Sequence, residues 1–227
     1  MIRAARLALA GLVILAACSS SNSVEKPQGV VLADLIKQQI GKAASPKVQP
    51  VNTALILTRG QLAGITEPLI RIRSETTKDT SLLYVAQRNA GSEIWKSADN
   101  ASFTMRRGVI VQTRGLGHDL YASDASGLIS ALQRGGASQG LTRINRRMEG
   151  TNQVVSDRYA CDLVDLGGES LVVLGLSFAT RHYRETCQGA GETYANDYWV
   201  DSRGVVRASR QRIGPEFGHV YLERLID

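Results

Sequence analysis

The chain of 227 residues carries a formal net charge of +6, from 27 Lys and Arg against 21 Asp and Glu. With 43% hydrophobic and 21% charged residues, the composition is that of a globular chain and excludes an intrinsically disordered one. The basic excess favours anionic partners such as an acidic glycan, although most charge of this kind belongs to a solvated surface.

The N-terminal residues 1–17 predict a cleaved secretory signal. Arg3 and Arg6 supply its positive start, and the apolar run from Leu7 to Ala17 has the length of a signal h-region. A transmembrane helix needs about 20 apolar residues, so this run is too short to span a bilayer. The run ends in Leu15-Ala16-Ala17-Cys18, which resembles the lipobox of bacterial lipoproteins.

The lipobox resemblance implies cleavage before Cys18, attachment of diacylglycerol to its thiol and acylation of the new amino terminus. One acyl chain binds a membrane only reversibly, whereas several chains together would hold permanently. Ser19 follows the cysteine, where lipoproteins of the inner membrane often carry Asp, so the resemblance favours the outer membrane. The alternative is an ordinary cleaved signal followed by a chance cysteine.

The rest of the chain divides into two parts. Residues 18–50 are predicted to form a lipidated, serine-bearing tether that contains a short amphipathic helix over Val31–Ile40, which Gly41 ends. Residues 51–227 are predicted to form one β domain, a length that suits a single medium-sized domain.

Within this domain the hydrophobic period is two, which is typical of antiparallel strands with one buried face. The pattern is clearest where Ile70 and Ile72 alternate with Arg71 and Arg73. Further strands are predicted at Ala54–Leu57, Ser81–Arg88, Glu93–Lys96, Ser102–Met105, Val109–Arg114, Leu141–Met148, Gln153–Leu163, Ser170–Glu185, Glu192–Val200, Val205–Arg212 and Phe217–Ile226.

Turn-forming residues separate these strands, among them Arg107-Gly108, Gly167-Gly168 and Ser202-Arg203-Gly204. One internal helix is predicted at Leu128–Arg134. Because strands do not alternate with helices, we predict an all-β fold. An antiparallel meander would form a β-barrel or barrel-like sandwich, preceded by the short N-terminal helix.

Two cysteines remain besides the lipidated one. Cys161 and Cys187 form an even pair in an oxidising compartment, so we predict a disulfide that stabilises the fold by about 3 kcal/mol. Two buried free thiols are the alternative. No metal site or cofactor is predicted, because neither cysteine lies in a Cys-x-x-Cys spacing and the three histidines are scattered singly.

Several short motifs follow one another along the domain. They are Arg88-Asn89, Glu93, Trp95, Ala98-Asp99, Gly108-Val109-Ile110, Thr113 to Leu120, Tyr159-Ala160-Cys161, Glu185-Thr186-Cys187, Asn196 to Asp201 and Gly204 to Gln211. This set resembles the YjbF/GfcB lipoproteins, from about residue 51 to the C-terminus. The resemblance implies an outer-membrane lipoprotein that serves exopolysaccharide or group 4 capsule production, a β-barrel-like domain and no established catalytic motif.

No catalytic residue is assigned. Gly175-Leu176-Ser177-Phe178-Ala179 approximates the Gly-x-Ser-x-Gly nucleophile elbow, with His182 nearby. An elbow needs a strand, a tight turn and a helix, whereas residues 180–184 continue the alternation of a strand. An envelope hydrolase acting on a glycan or ester therefore stays the alternative function.

Arginine and aromatic side chains are the candidates for ligand binding. Arg207, Arg210 and Arg212 on one strand, with Arg143, Arg146 and Arg147 on another, could form a basic face for an anionic polysaccharide. Tyr198 and Trp199, on opposite faces of one strand, could stack on sugar rings. Solvated surface for the arginines and core packing for the aromatic rings are the alternatives.

These patterns predict a non-enzymatic lipoprotein, anchored in the outer membrane and facing the periplasm. It would bind a polysaccharide or a partner protein, including other export proteins, during exopolysaccharide or capsule production. Nucleic acid is not an expected partner, because the predicted location is the cell envelope.

Overall fold

Twelve β-strands form a single sheet in the computed structural model, which describes residues 57–148 and 153–227. The strands are β1 (Leu69–Ser74), β2 (Thr80–Asn89), β3 (Ser92–Lys96), β4 (Ser102–Arg106), β5 (Val109–Arg114), β6 (Leu120–Asp124), β7 (Ser138–Met148), β8 (Val154–Val173), β9 (Leu176–Gly189), β10 (Glu192–Asp201), β11 (Val206–Gly214) and β12 (Gly218–Ile226). The described residues also contain a 3₁₀ helix, Arg59–Leu62, and an α-helix, α1, Ser126–Arg134. The predicted all-β fold and its internal helix are therefore confirmed.

Part of the prediction falls outside the described residues. This part comprises the signal, Cys18, the tether, the helix at Val31–Ile40 and, apart from Leu57, the strand at Ala54–Leu57. No helix in the described part of the chain is long and apolar enough to cross a membrane.

The strands follow one another as a meander. Their order across the sheet is β5-β4-β3-β2-β1-β12-β11-β10-β9-β8-β7-β6, and neighbouring strands are antiparallel. The last strand, β12, pairs with the first, β1, so the two edges of the sheet are β5 and β6. The sheet closes almost completely into the predicted barrel.

Side chains of β5 join the two edges. Gln112 donates from Nε2 to the carbonyl oxygen of Tyr121 at 3.1 Å, and the Leu120 amide donates to the hydroxyl of Thr113 at 2.9 Å. Free backbone groups of an edge strand can pair with other chains. No backbone ladder joins β5 to β6, and these side-chain hydrogen bonds link the two edge strands instead. They therefore protect the edges from pairing with other chains.

Gln211 binds β5 across the barrel. It is 2% exposed on β11, accepts a hydrogen bond from the Ile110 amide at 2.8 Å and donates one to the Gly108 carbonyl at 2.8 Å. A Cβ atom at Gly108, where φ is +84°, would lie 2.6 Å from Cβ of Val206. Glycine is therefore needed at position 108 both for its backbone conformation and for the close approach of β5 to β11.

The helix α1 follows β6 and packs against the barrel. The Asp124 carboxylate accepts a hydrogen bond from the Ser126 amide at 3.1 Å near its start. Leu128 and Leu132, four residues apart, lie on one face of the helix and share a buried cluster with Tyr198. Burial of this apolar face fixes the helix to the sheet.

The hairpin of β8 and β9 differs from the prediction. The expected turn at Gly167-Gly168 is wrong, because these residues lie within β8, where the register shifts between Asp165 and Gly167. The true turn is Leu174-Gly175, and both of its residues have positive φ. This pattern is the type I′ turn, whose first residue is more often Asn or Asp, so the apolar leucine gave no turn signal.

The extended part of this hairpin packs outside the main core. Val173 shares a separate apolar cluster with Leu57, Leu69 and Leu225. Arg59 donates from Nη1 to the Leu225 carbonyl at 2.9 Å. The described chain therefore begins beside the end of β12.

We predict that Gln211→Leu destabilises the barrel. Leucine has a similar size but leaves the Ile110 amide and the Gly108 carbonyl without partners, at a cost of about 1–3 kcal/mol for each buried group. Denaturant unfolding should show a loss of at least about 2 kcal/mol. Gln188→Leu is the control because Gln188 is exposed, and an equal loss in both variants would contradict the role given to Gln211.

Candidate ligand site at one end of the barrel

The two remaining cysteines form the predicted disulfide. Cys161 on β8 lies opposite Cys187 on β9, and a disulfide bond joins them. The Glu185 carboxylate lies within 4.8 Å of both sulfur atoms. This group does not offer a metal site, because the sulfur atoms are bonded to each other and Glu185 binds Arg143.

Arg143, predicted as part of a basic face, is buried instead. Its Nε and Nη2 atoms donate to the two carboxylate oxygens of Glu185 at 3.2 and 2.9 Å, and Asn196 donates to the same carboxylate at 2.7 Å. Burial alone would lower the pKa of Arg143, but the charge of Glu185 raises it above its ordinary value. Arg143 therefore stays charged within the fold and is closed to a ligand.

The remaining arginines do not form one basic face either. Arg207 is 2% exposed and donates to Asp201 at 2.8 Å and to Asp227 at 2.6 Å. The others are partly or fully exposed, and most of them pair with acids: Arg210 with Glu75, Arg212 with Glu192 and Arg147 with Asp157, while Arg146 is exposed. The predicted face is wrong in this respect, since Arg143 is buried within the barrel, Arg207 is buried over Phe178, and carboxylates neutralise three more of its members.

The two aromatic candidates occupy opposite faces of β10, as predicted. Tyr198 is fully buried, and burial raises its pKa well above the ordinary value. Trp199 is partly exposed, but its ring stacks on His182 at a centroid distance of 4.4 Å and its indole N–H donates to Glu169 at 2.9 Å. Core packing therefore accounts for Tyr198, and one face of Trp199 is already covered.

The approximate nucleophile elbow is not formed. Ser177 lies in β9, and its hydroxyl is 2.9 Å from the hydroxyl of Ser170. His182 lies five residues further along the same strand, on the opposite face and about 16 Å away. The strand continues through both residues, so the structure does not bring this serine and histidine together.

A large cavity of the described chain lies at one end of the barrel. Its volume is about 610 Å³. The turns between β2 and β3, β4 and β5, and β10 and β11 line it, together with the end of β12. We call it the mouth cavity. Its charged lining residues are Arg88, Arg107, Arg203, Arg224, Glu93 and Asp227.

The mouth cavity has more cations than carboxylates. Arg88 pairs with Glu93 at 3.1 Å and Arg203 with Asp227 at 2.9 Å. Arg107 is exposed and has no ion pair within the described ranges. Arg224 is 3.9 Å from Glu93, and burial lowers its pKa below the ordinary value.

This arrangement suits the binding of an anion. Arginine side chains present several N–H donors in a fixed plane and match carboxylate groups well. No histidine or cysteine is among the residues that line the mouth cavity. The charged groups that it offers a ligand are guanidinium and carboxylate groups.

Sequence reasoning missed the mouth cavity because its residues lie in separate turns. The sequence predicts turns at Arg107-Gly108 and Arg203-Gly204, and Arg88 and Glu93 belong to the family motifs, but no pattern assigns them a binding role. One signal was available, since every second turn of an antiparallel meander lies at the same end of the sheet.

Comparisons with known proteins agree with this fold. The family model for the group 4 capsule polysaccharide lipoprotein gfcB, YjbF, matches residues 20–225. The crystal structure of the hypothetical lipoprotein YmcC from Escherichia coli K12 is similar, with a TM-score of 0.66 and 23% identity, covering 74% of this chain and 88% of that chain. This likeness shows a common fold. No curated protein matches the chain.

We predict that Arg143→Met strongly destabilises the protein. The change leaves the Glu185 carboxylate buried without a cation, which typically costs about 3–5 kcal/mol. The double variant Arg143→Met/Glu185→Leu should lose much less, because no charge stays buried. Denaturant unfolding measures both, with the exposed Arg146→Met as the control. If the double variant were as unstable as the single one, lost packing rather than charge would be the cause.

Proposed function

The chain belongs to the family of group 4 capsule polysaccharide lipoproteins gfcB, YjbF, and from this membership we propose that it is a non-enzymatic accessory that binds an acidic polysaccharide. The observation that carries the proposal is the mouth cavity, where four arginines face two carboxylates. A polymer with regularly spaced negative charges complements such a surface. We expect the protein to act beside other export proteins of exopolysaccharide or capsule production.

The dimensions of the mouth cavity support a role in glycan binding. Its volume of about 610 Å³ lies within the range of about 300–1,000 Å³ usual for ligand pockets. It is formed by turns at the end of a barrel, so a long polymer can enter and leave without being threaded. A short segment of the glycan would occupy the cavity while the rest of the polymer stays in solvent.

A binding role accounts for the described side chains better than a hydrolytic one. General acid-base or nucleophilic chemistry needs two or three groups within hydrogen-bond reach of one another. Ser177 and His182 lie on opposite faces of β9, and the acids of the mouth cavity are paired with arginines. We therefore favour a protein that holds the polymer over one that cleaves it.

We further propose that Cys18 is lipidated and anchors the protein in the outer membrane, with the barrel facing the periplasm. The lipobox and the serine that follows it support this placement. Anchoring would keep the mouth cavity close to the membrane that the polymer must cross.

The anchoring predicts a change of membrane with a single substitution. Ser19→Asp should move the protein from the outer-membrane to the inner-membrane fraction, because Asp after the lipidated cysteine is typical of retained lipoproteins. Density-gradient fractionation measures this, with Ser23→Asp as the matched control. Intact mass spectrometry should find acyl chains on Cys18 in all three proteins, and their absence would contradict the lipid anchor.

Glycan binding can be tested with the full-length protein in detergent. We expect it to bind the acidic polymer polygalacturonate more tightly than neutral dextran, with an affinity that falls as salt screens the charges. The double variant Arg107→Gln/Arg203→Gln should bind about 3- to 10-fold more weakly, as for the loss of two exposed ionic contacts.

The control for this test is Arg146→Gln/Arg158→Gln, which removes the same charge from exposed positions outside the mouth cavity. Equal weakening in the two double variants would mean that total charge, and not the mouth cavity, drives binding. Equal affinity of the native protein for polygalacturonate and dextran would contradict the proposed function.

A further inference from the structure

Among the arginines that form ion pairs in the described chain, three have side chains that are less than 15% exposed. They are Arg143, Arg207 and Arg224, whose side chains are 4%, 3% and 14% exposed. The first two each have a carboxylate oxygen within 2.9 Å. The carboxylate beside Arg224 belongs to Glu93 and lies at 3.9 Å, while Arg88 approaches the same carboxylate at 3.1 Å. Arg224 is therefore the one of the three that lacks a carboxylate of its own.

The guanidinium group of Arg224 also lacks hydrogen bonds to the described residues. Its Nε atom is buried without an acceptor. The guanidinium group lies over the ring of Trp95, 5.2 Å from the centroid, and the indole N–H of Trp95 is likewise buried without an acceptor. Buried donors are nearly always satisfied in folded proteins, and buried charges are normally paired. Donors outnumber acceptors at this point of the structure.

The position of Arg224 gives this imbalance a functional meaning. Arg224 lines the mouth cavity, so its guanidinium borders on space that a ligand can occupy. Arg107 lines the same cavity and has no ion pair within the described chain. Building on the glycan-binding role proposed above, we propose that Arg224 receives an acidic group of the bound sugar, with Arg107 as the second cation.

The surrounding charges select the kind of acid. A carboxylate is planar and carries one negative charge, so it can accept two parallel hydrogen bonds from a guanidinium group. A phosphate group carries up to two negative charges at neutral pH and would meet stronger repulsion from Glu93 and Asp227 in the same lining. The site therefore suits a sugar that bears a carboxylate, such as a uronic acid.

The experiment compares Arg224→Met with the native full-length protein and uses galacturonate, galactose and inorganic phosphate as probes. Galacturonate should raise the melting temperature of the native protein, galactose should not, and phosphate should act more weakly. Arg224→Met should bind galacturonate at least about 10-fold more weakly. Arg224→Lys, which keeps the charge but not the planar fork, should fall in between.

Stability without ligand separates a binding role from a structural one. Because Arg224 has no matched carboxylate, Arg224→Met should melt at the same temperature as the native protein or higher. A lower melting temperature together with unchanged galacturonate binding would overturn the inference and make Arg224 a structural residue. Arg158→Met, at an exposed site outside the mouth cavity, controls for the loss of one positive charge.

The outcomes also distinguish this inference from the proposed function. If the native protein binds polygalacturonate and Arg224→Met binds it equally well, the role of Arg224 is wrong while glycan binding stands. If galacturonate stabilises the native protein and not Arg224→Met, but no polymer binds, the anion site stands and the polysaccharide-binding function fails. A phosphate effect larger than that of galacturonate would contradict the assignment to a carboxylate.

Discussion

The structure depends most on the ion pair between Arg143 and Glu185, which lies within the barrel and joins β7 to β9. Asn196 of β10 donates to the same carboxylate, so three strands meet at one buried charge. A shift of β7 or β9 by one residue would turn its charged side chain to the opposite face and leave the opposite charge buried alone, and a shift of β10 would remove the hydrogen bond of Asn196. The disulfide between Cys161 and Cys187 lies beside this pair. Together they fix the register of the second half of the sheet more strictly than apolar packing could.

Alternation of apolar and polar residues was enough to predict the antiparallel barrel, because each strand buries one face. It could not show where the sheet closes, since the β5–β6 seam and the Gln211 contact rest on single side chains with no sequence pattern. The error at Gly167-Gly168 has a similar origin. A glycine pair indicates a break in the backbone pattern, and the bulge it forms inside β8 has the same composition as a turn.

The candidate site illustrates a different limit of sequence reasoning. Arginines that are close in sequence suggested a basic face. Arg143 instead points into the barrel, Arg207 lies over Phe178, and both belong to buried ion pairs. The cations that do line a cavity are far apart in sequence and come together because alternate hairpin turns share one end of the barrel. Clusters that arise from topology are invisible until the strand order is known, and here the strand order depends on the pairing of β1 with β12.

The same rule about buried charge links the fold to the proposed activity. Where an arginine has a close carboxylate, as Arg143 and Arg207 do, the pair serves the structure. Arg224 only shares the more distant carboxylate of Glu93 with Arg88, so the protein retains an incompletely neutralised charge that a ligand can neutralise. The described chain begins at this end of the barrel, since Arg59 binds the carbonyl of Leu225 next to the mouth cavity. Under the proposed anchoring, the segment that leads back to Cys18 therefore joins the described domain at the end that bears the mouth cavity.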